Sequence, residues 1–517
     1  MRLFKPVIGC LFLISGCAWI PEGDKPAEFM TAPSMDHALS EFHEKQATAS
    51  LERWPNERWW QEFGSSELNS LMANGLKDNP GLKAASDRVR EAEALARVEG
   101  SRLLPFIDAD ADVAYERVSA HGLFAALNRK EAAGAHIVAS KINLLNFRYE
   151  FDFWGKNRAA LEASLGEAAA DKAEMADTLL RLTTAIARSY FRGVALRHQL
   201  DLATEMVKLR QDLLDISETR LRLGLDSVDP VKESSINLEQ ARKREALTRD
   251  QLDLQRNLLA KLIGKGPDST QHLFLDKVNI PRDLALPDKL PLELLRHRPD
   301  LTSALFRAEA AAQRIKEAKA RFLPTIDLTA FAGVNALRLT KGASTLANVL
   351  FSGSSVAYGV APGLRLPLFE GGRLRAELSA QRAEYDKSVE LYNDTLLHAI
   401  QEVADSLSGW KESLSILEAH GRLMSSQRKN QELAEDRVRA GLDDRRELLD
   451  RRHAVLEQEY VLKTLETDHL AARVDLIESL GGGYSKEIEI IQQLIRHKPE
   501  HPEGFDLYKW LIFSQKE

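Results

Sequence analysis

Residues 372–441 contain no proline and carry Leu396, Ile400, Val403, Leu407, Trp410, Leu414 and Leu417 at alternating steps of four and three. That spacing averages 3.5 residues, the heptad seam of a helix that supercoils against its neighbours. With no proline to break it, the stretch predicts a single helix roughly 100 Å long at ~1.5 Å per residue. It ends in the turn Arg439-Ala440-Gly441-Leu442-Asp443. Residues 156–224 form an earlier twin, proline-free, with Met206, Leu209, Leu213, Ile216 and Leu223 on one seam and Arg222-Leu223-Gly224-Leu225-Asp226 at the end. Helices of this length suit a tube, a stalk or a tether better than the core of a soluble enzyme.

The twins belong to a larger duplication. His297-Arg298-Pro299-Asp300-Leu301 matches Asp78-Asn79-Pro80-Gly81-Leu82, and Arg321-Phe322-Leu323-Pro324 matches Arg102-Leu103-Leu104-Pro105, both 219 positions apart. Further on, the glycine pairs 155 and 372, 224 and 441, and 264 and 481 all stand 217 apart. Only two residues are lost between the strands, so one architecture is built twice. Repeat 1 spans 67–264 and repeat 2 spans 292–483, joined by a proline-bearing link at 265–291. A segment at 17–66 precedes them, with Trp54, Trp59, Trp60 and Phe63 placed to pack under the helices, and a tail at 484–517 follows.

Each repeat reads as half-helix, strand, loop, strand, full helix, turn and half-helix. The first half-helix, 67–101, breaks and restarts at Asn79-Pro80. The returning helix, 230–263, starts on Pro230 and is half as long as the outgoing one, so two half-helices stacked end to end match one full helix. The strands are expected at 106–118, 142–154, 325–338 and 355–368. In the first, Phe106, Asp108, Asp110 and Asp112 alternate with Ile107, Ala109, Ala111, Val113 and Tyr115. In the second, Leu145, Phe147, Tyr149, Phe151 and Phe153 alternate with Asn146, Arg148, Glu150 and Asp152. No following element is placed to cover so large an aromatic face, which is the pattern of a membrane barrel with lipid outside and water inside. Four strands cannot close a barrel, since closed membrane barrels take about eight or more, so several copies must associate. The Asp108-x-Asp110-x-Asp112 spacing opens like a calcium loop, but Val113 stands where the loop glycine belongs and Ser119 where the closing glutamate belongs.

The N-terminus has Arg2 and Lys5, a short apolar run, then Leu13-Ile14-Ser15-Gly16-Cys17. Residues 1–16 read as an export signal. Its end resembles the lipobox of bacterial lipoproteins, in which the cysteine, here Cys17, is acylated. The chain has 2 cysteines, and the other, Cys10, falls in the removed part, which leaves no intrachain disulfide. The net charge of −7 and the lack of a basic stripe with interleaved aromatics argue against nucleic acid. No Gly-x-Ser-x-Gly, His-Glu-x-x-His or paired cysteines occur, and the 13 histidines lack ligand spacing, so no catalytic residue, metal or cofactor is expected.

The duplicated pattern, the lipobox, Trp59-Trp60-x-x-Phe63 with Leu68 and Leu71, Asn79-Pro80, Arg102-x-x-Pro105, Phe151-Asp152-x-Trp154-Gly155, Phe369-x-Gly371-Gly372-Arg373 and the Arg-x-x-x-Gly-Leu turns resemble the TolC-type outer-membrane efflux proteins. The likeness covers about 18 to 483 and leans to the lipoprotein subgroup serving resistance-nodulation-division (RND) pumps. It implies a mostly α fold with a membrane β-barrel portion: a homotrimer sharing a twelve-stranded barrel in outer-membrane lipid and a twelve-helix tunnel across the periplasm. The expected partners are a periplasmic adaptor and an inner-membrane RND transporter, and the expected role is a passive exit duct for small molecules. A type I protein-secretion channel and a poreless coiled-coil tether are the alternatives; a tether has no use for charged inner faces.

The resemblance also implies sites. An acid nine positions after the second turn glycine faces the lumen at the family's constriction, here Asp450, and some members add one three residues earlier, here Glu447. The plain alternative is a solvated helix face. Arg445, Arg446, Arg451 and Arg452 surround these acids, a departure from a purely anionic gate, and are placed to pair with the carboxylates or with a neighbouring helix and hold the tip shut. At the first turn Pro230 and Glu233 take the equivalent positions. Gly224, Leu225, Gly441 and Leu442 resemble the adaptor-contacting tips. Asp108, Asp110, Asp112, Arg148, Glu150 and Asp327 are expected along the lumen.

Overall fold

A computed structural model describes residues 20–34, 54–117, 119, 121, 136–274, 276–281, 297–340 and 353–484. The chain forms two compact units. One comprises Met1–Thr31, Arg88–Lys172 and Ser303–Thr395; the other comprises Ala32–Asp87, Ala173–Thr302 and Leu396–Glu517. Among the described residues the elements are α1 (Ser66–Asp78), α2 (Pro80–Ser101), β1 (Phe106–Arg117), β2 (His136–Phe151), α3 (Lys156–Arg222), α4 (Asp229–Leu262), α5 (Pro299–Ala320), β3 (Thr325–Thr340), β4 (Val356–Arg365), α6 (Arg373–Arg439) and α7 (Arg445–Ser479). The two long helices have 67 residues each, as duplication requires.

The first unit holds one antiparallel sheet in the order β1-β2-β3-β4. Phe106 pairs with Arg148 in repeat 1 and Thr325 with Arg365 in repeat 2, so the offsets read from the sequence carry into the strand register. The strand limits differ from expectation. β2 begins at His136, not 142, and stops at Phe151, not 154, because Asp152 turns away to accept the Asn157 and Arg158 amides at the start of α3. β4 stops at Arg365, short of 368, where Pro367 has no N–H for a ladder. The register slips around Leu144, a bulge that keeps Asn143 and Asn146 on the same face. Below the sheet, Ala318, Phe322 and Leu378 form a small core joined by Ile20. The segment Ile20–Thr31 follows α6: Arg382 reaches the Pro21 carbonyl (2.8 Å), Asp386 Oδ1 accepts the Ala27 amide (2.9 Å) and Asn393 Oδ1 accepts the Met30 amide (2.8 Å).

The second unit is a helical bundle. Met206, Leu209 and Leu213 of α3 pack on Leu449 and Leu456 of α7, while Val403, Leu407 and Trp410 of α6 pack on Leu476 and Leu480. Leu223, expected on the same seam, is instead 67% exposed, because the chain has already entered the turn there. Trp59, Trp60 and Phe63 form a buried 3₁₀ turn that fills the space beneath α3 through Phe191. The half-helices are spliced end to end. Asn79 caps α2 by accepting the Leu82 amide (3.0 Å) and donates its side-chain N–H to the Leu262 carbonyl that ends α4 (2.8 Å). At the equivalent place Arg298 donates to the Ser479 carbonyl that ends α7 (2.9 Å). Gly264 and Gly481 allow the contact: a Cβ on either would strike the Asp78 or His297 carbonyl.

Candidate functional site

Both long helices end in the same backbone motif. Leu225 N–H donates to the Arg220 carbonyl (2.9 Å) and Gly224 N–H to that of Leu221 (3.0 Å); Leu442 and Gly441 repeat this to Arg437 (2.8 Å) and Val438 (3.0 Å). These are Schellman caps, and they need the positive φ of Gly224 (69°) and Gly441 (74°). A side-chain clamp is duplicated over them. Arg220 Nε donates to Asp226 Oδ2 and Arg437 Nε to Asp443 Oδ2, both at 2.6 Å, each guanidinium holding its carboxylate two-pronged. Leu223, Leu225 and Leu442 project from the turns, exposed.

The two turns are then tied together. Arg446 Nη1 reaches Asp226 Oδ2 (3.1 Å), Arg220 Nη1 lies 3.5 Å from Asp444 Oδ2, and Asp444 caps α7 by accepting the Arg446 amide (3.1 Å). The Arg220 hydrogen bond holds the Asp226 carboxyl below its ordinary range, and Arg437 does the same for Asp443. For Asp444, partial burial pushes the carboxyl up, but the Arg446 amide and guanidinium outweigh it and the net direction is down. Carboxyls lowered in the folded state contribute stability above their unfolded pKa of about 3.9 and lose it as pH falls through the folded value.

The acids singled out from the sequence take different partners. Asp450 accepts from Arg210 of α3 (3.1 Å), and Glu447 pairs with Arg451 one turn along α7 (2.6 Å). Arg452 reaches Glu205 (2.8 Å), and Arg445 makes no ion pair among the described residues. Of the four arginines, then, Arg446 is the one that ties the two turns and Arg451 the one that pairs with an expected gate acid. Burial, together with the nearby Arg210 and Arg244, lowers the pKa of His453 one turn beyond Asp450. Sequence reasoning missed Arg210, and it missed the clamps, although Arg220/Asp226 and Arg437/Asp443 repeat at the 217 offset and were legible.

In the other unit, the sheet has one polar and one apolar face. Asp108 pairs with Arg148 (2.9 Å), and Asp110 accepts from Asn143 (3.1 Å) and from Asn146. Glu150 stands opposite Asp327 and pairs with Lys156. The other face presents Ile107, Val113, Tyr115, Val356, Tyr358, Val360 and Leu364, all exposed, with Tyr358 at 82%. An uncovered apolar face of this extent marks contact with a partner or with lipid. No described helix is long and apolar enough to cross a membrane. Cys17 lies outside the described residues, as do the tail beyond 484 and residues 275 and 282–291 of the link.

The model of the outer membrane efflux protein family matches residues 71–265 and 290–482. The multidrug resistance outer membrane protein MdtQ of Escherichia coli is 30% identical over 493 residues, covering 93% of this chain and 99% of that protein. MdtP from the same species is 28% identical over 489 residues, covering 93% and 96%. Among solved structures, the outer membrane protein VceC of Vibrio cholerae superposes with a TM-score of 0.73 at 29% identity, covering 84% of this chain and 100% of that one. The Campylobacter jejuni CmeC outer membrane channel gives 0.78 at 19% identity, covering 92% and 96%, a likeness of fold.

Proposed function

The chain belongs to the outer membrane efflux protein family, and from that premise we propose that it is the exit duct for multiple small toxic compounds, gated at its two helical turns. It is an outer-membrane channel of the tripartite efflux type, not an enzyme. The observation that carries the duct reading is the sheet with one charged face and one exposed apolar face, which a poreless tether would not need. Three copies complete the barrel, with the polar face lining the water path.

In this reading Asp450 and Glu447 are the gate acids, held by Arg210 and Arg451, and the Arg446–Asp226 pair keeps the turns together at rest. Three such carboxylates around a narrow opening attract cations. The exposed Leu223, Leu225 and Leu442 on rigid Schellman turns offer an apolar rim to the adaptor, which in turn connects to an inner-membrane RND transporter. Acylated Cys17 anchors the N-terminus; Ile20, three residues on, packs beneath the sheet, within reach of the membrane boundary.

The test is complementation. Expressed with its adaptor and pump in a strain lacking its own outer-membrane efflux channels, the protein lowers dye accumulation and raises resistance to several unrelated drugs. Secretion of a protein substrate with no change in dye accumulation would instead favour the type I exporter.

A further inference from the structure

The sheet leaves two edges open, β1 and β4, each hydrogen-bonded on one side among the described residues. Edges of this length are templates for another strand. What sits on them is constrained by the duplication, because the chain already contains one junction between repeats: β2 against β3.

That internal junction pairs Glu150 with Asp327 and Arg148 with Thr329. Moving β2 forward by 217 gives β4, and moving β3 back by 219 gives β1. These offsets are structural, since Phe106–Arg148 becomes Thr325–Arg365 and Asp108–Asn146 becomes Asp327–Gly363 in the observed ladders. Applied to Arg148–Thr329, they place Arg365 opposite Asp110 of the partner subunit. The bulge of β2 is absent from β4, whose ladder with β3 runs without a shift, so every second residue continues on the polar face: Gly363 opposite Asp112 of the partner subunit, and Ala361 opposite Ala114 of the partner subunit.

A second observation points the same way. In repeat 1 the Asp108 and Arg148 side chains meet within the chain at 2.9 Å. Their counterparts Asp327 and Arg365 make no such pair, and neither forms a side-chain hydrogen bond or ion pair among the described residues. The cause is local. The Asp327 carboxylate lies against Gly363, where an added Cβ would come within 2.7 Å of it, whereas Asn146 fills the matching place in repeat 1. Arg365 is left exposed on the edge strand with no counter-ion from its own chain among the described residues. Opposite charges directly across an antiparallel pair stabilise it and disfavour slipped registers.

We infer that β4 of one copy pairs antiparallel with β1 of a second copy in a single register, fixed by Arg365 facing Asp110 of the partner subunit. This rests on the homotrimer reading and adds to it the residue-level seam.

Paired cysteines test the register in the full-length chain. Directly opposed Cβ atoms stand about 4.5–5.5 Å apart and diagonal ones about 7–8 Å, and a disulfide needs roughly 3.5–4.5 Å, so it forms readily for the opposed pair alone. The double variant Ala114→Cys/Ala361→Cys should give mostly covalent trimers on non-reducing gels after mild oxidation. Neither single variant should do so, and Asp112→Cys/Ala361→Cys and Glu116→Cys/Ala361→Cys should give at least fivefold less. A slipped pair that cross-links better than the opposed pair would overturn the register. Native-gel trimers with no cross-link in any combination would overturn the β4–β1 seam itself. As a second arm, Arg365→Glu should weaken detergent-resistant trimers and Asp110→Lys in the same chain should restore them; equal loss in the double variant would contradict the charge pair. Cross-linking reads the seam whether or not the channel exports drugs, so a failed efflux assay leaves this result interpretable.

Discussion

The two helix splices do the same job with different chemistry. In repeat 1 a neutral amide, Asn79, hydrogen-bonds the last carbonyl of α4. In repeat 2 a buried guanidinium, Arg298, does this for α7 while also holding Asp300 (2.6 Å) and Glu402 (2.6 Å). Duplication kept the geometry and let the electrostatics diverge. The difference teaches that the second splice depends on all its partners at once. Burial lowers the Arg298 pKa, and the two carboxylates more than reverse that; burial likewise raises Asp300, and Arg298 brings it down. Removing one member strands a buried charge, whereas removing the amide of the first splice leaves a neutral gap.

The largest expected effect is therefore Arg298→Ala, a loss of about 3–5 kcal/mol of stability in detergent by thermal or urea unfolding. Asn79→Ala should lose about 1–2 kcal/mol, from one cap and one carbonyl partner. Equal losses at the two sites would break the comparison. A pH series sharpens it. Asp300 is depressed in the folded state, so its contribution is present above an unfolded pKa of about 3.9 and disappears as pH falls through the lower folded value. Unfolding midpoints of the wild type should drop over that acid window, and Arg298→Ala should lack this part of the slope. Smaller again, Gly224→Ala and Gly441→Ala should each lose about 1 kcal/mol, alike in both repeats, because each glycine has positive φ and open space around its Cβ position. Smallest in stability is Asp443→Asn beside Asp226→Asn: among the described residues Asp443 is held by Arg437, and Asp226 by both Arg220 and Arg446. Asp226→Asn should change conductance while Asp443→Asn leaves it near wild type.

Much of the fold was legible because duplication checks itself. The break at Asn79-Pro80, the turn glycines and the buried Trp59, Trp60 and Phe63 follow from backbone chemistry and apolar spacing. The end of β2 was misjudged because the alternation runs on through Phe153, while Asp152 is taken by a helix cap that periodicity does not register. The bulge at Leu144 depends on strand partners and leaves no mark on one strand's pattern. At the turns, the acids were found but not their partners. Arg210 lies 240 residues from Asp450, and no local spacing links them. The Arg–Asp clamps, by contrast, repeat within six residues and could have been read.

In the proposed function, ion pairs at the two turns hold a water-filled duct nearly closed. Single-channel conductance of the purified protein in a planar bilayer tests it, comparing wild type with Arg446→Ala, Asp450→Ala and Glu447→Ala. The wild type should give small, cation-selective steps, Arg446→Ala larger steps, and the two acid variants larger, less cation-selective steps. Wild-type-sized steps in all three variants would contradict the charge-held gate, and silence from intact trimers of every form would contradict the duct.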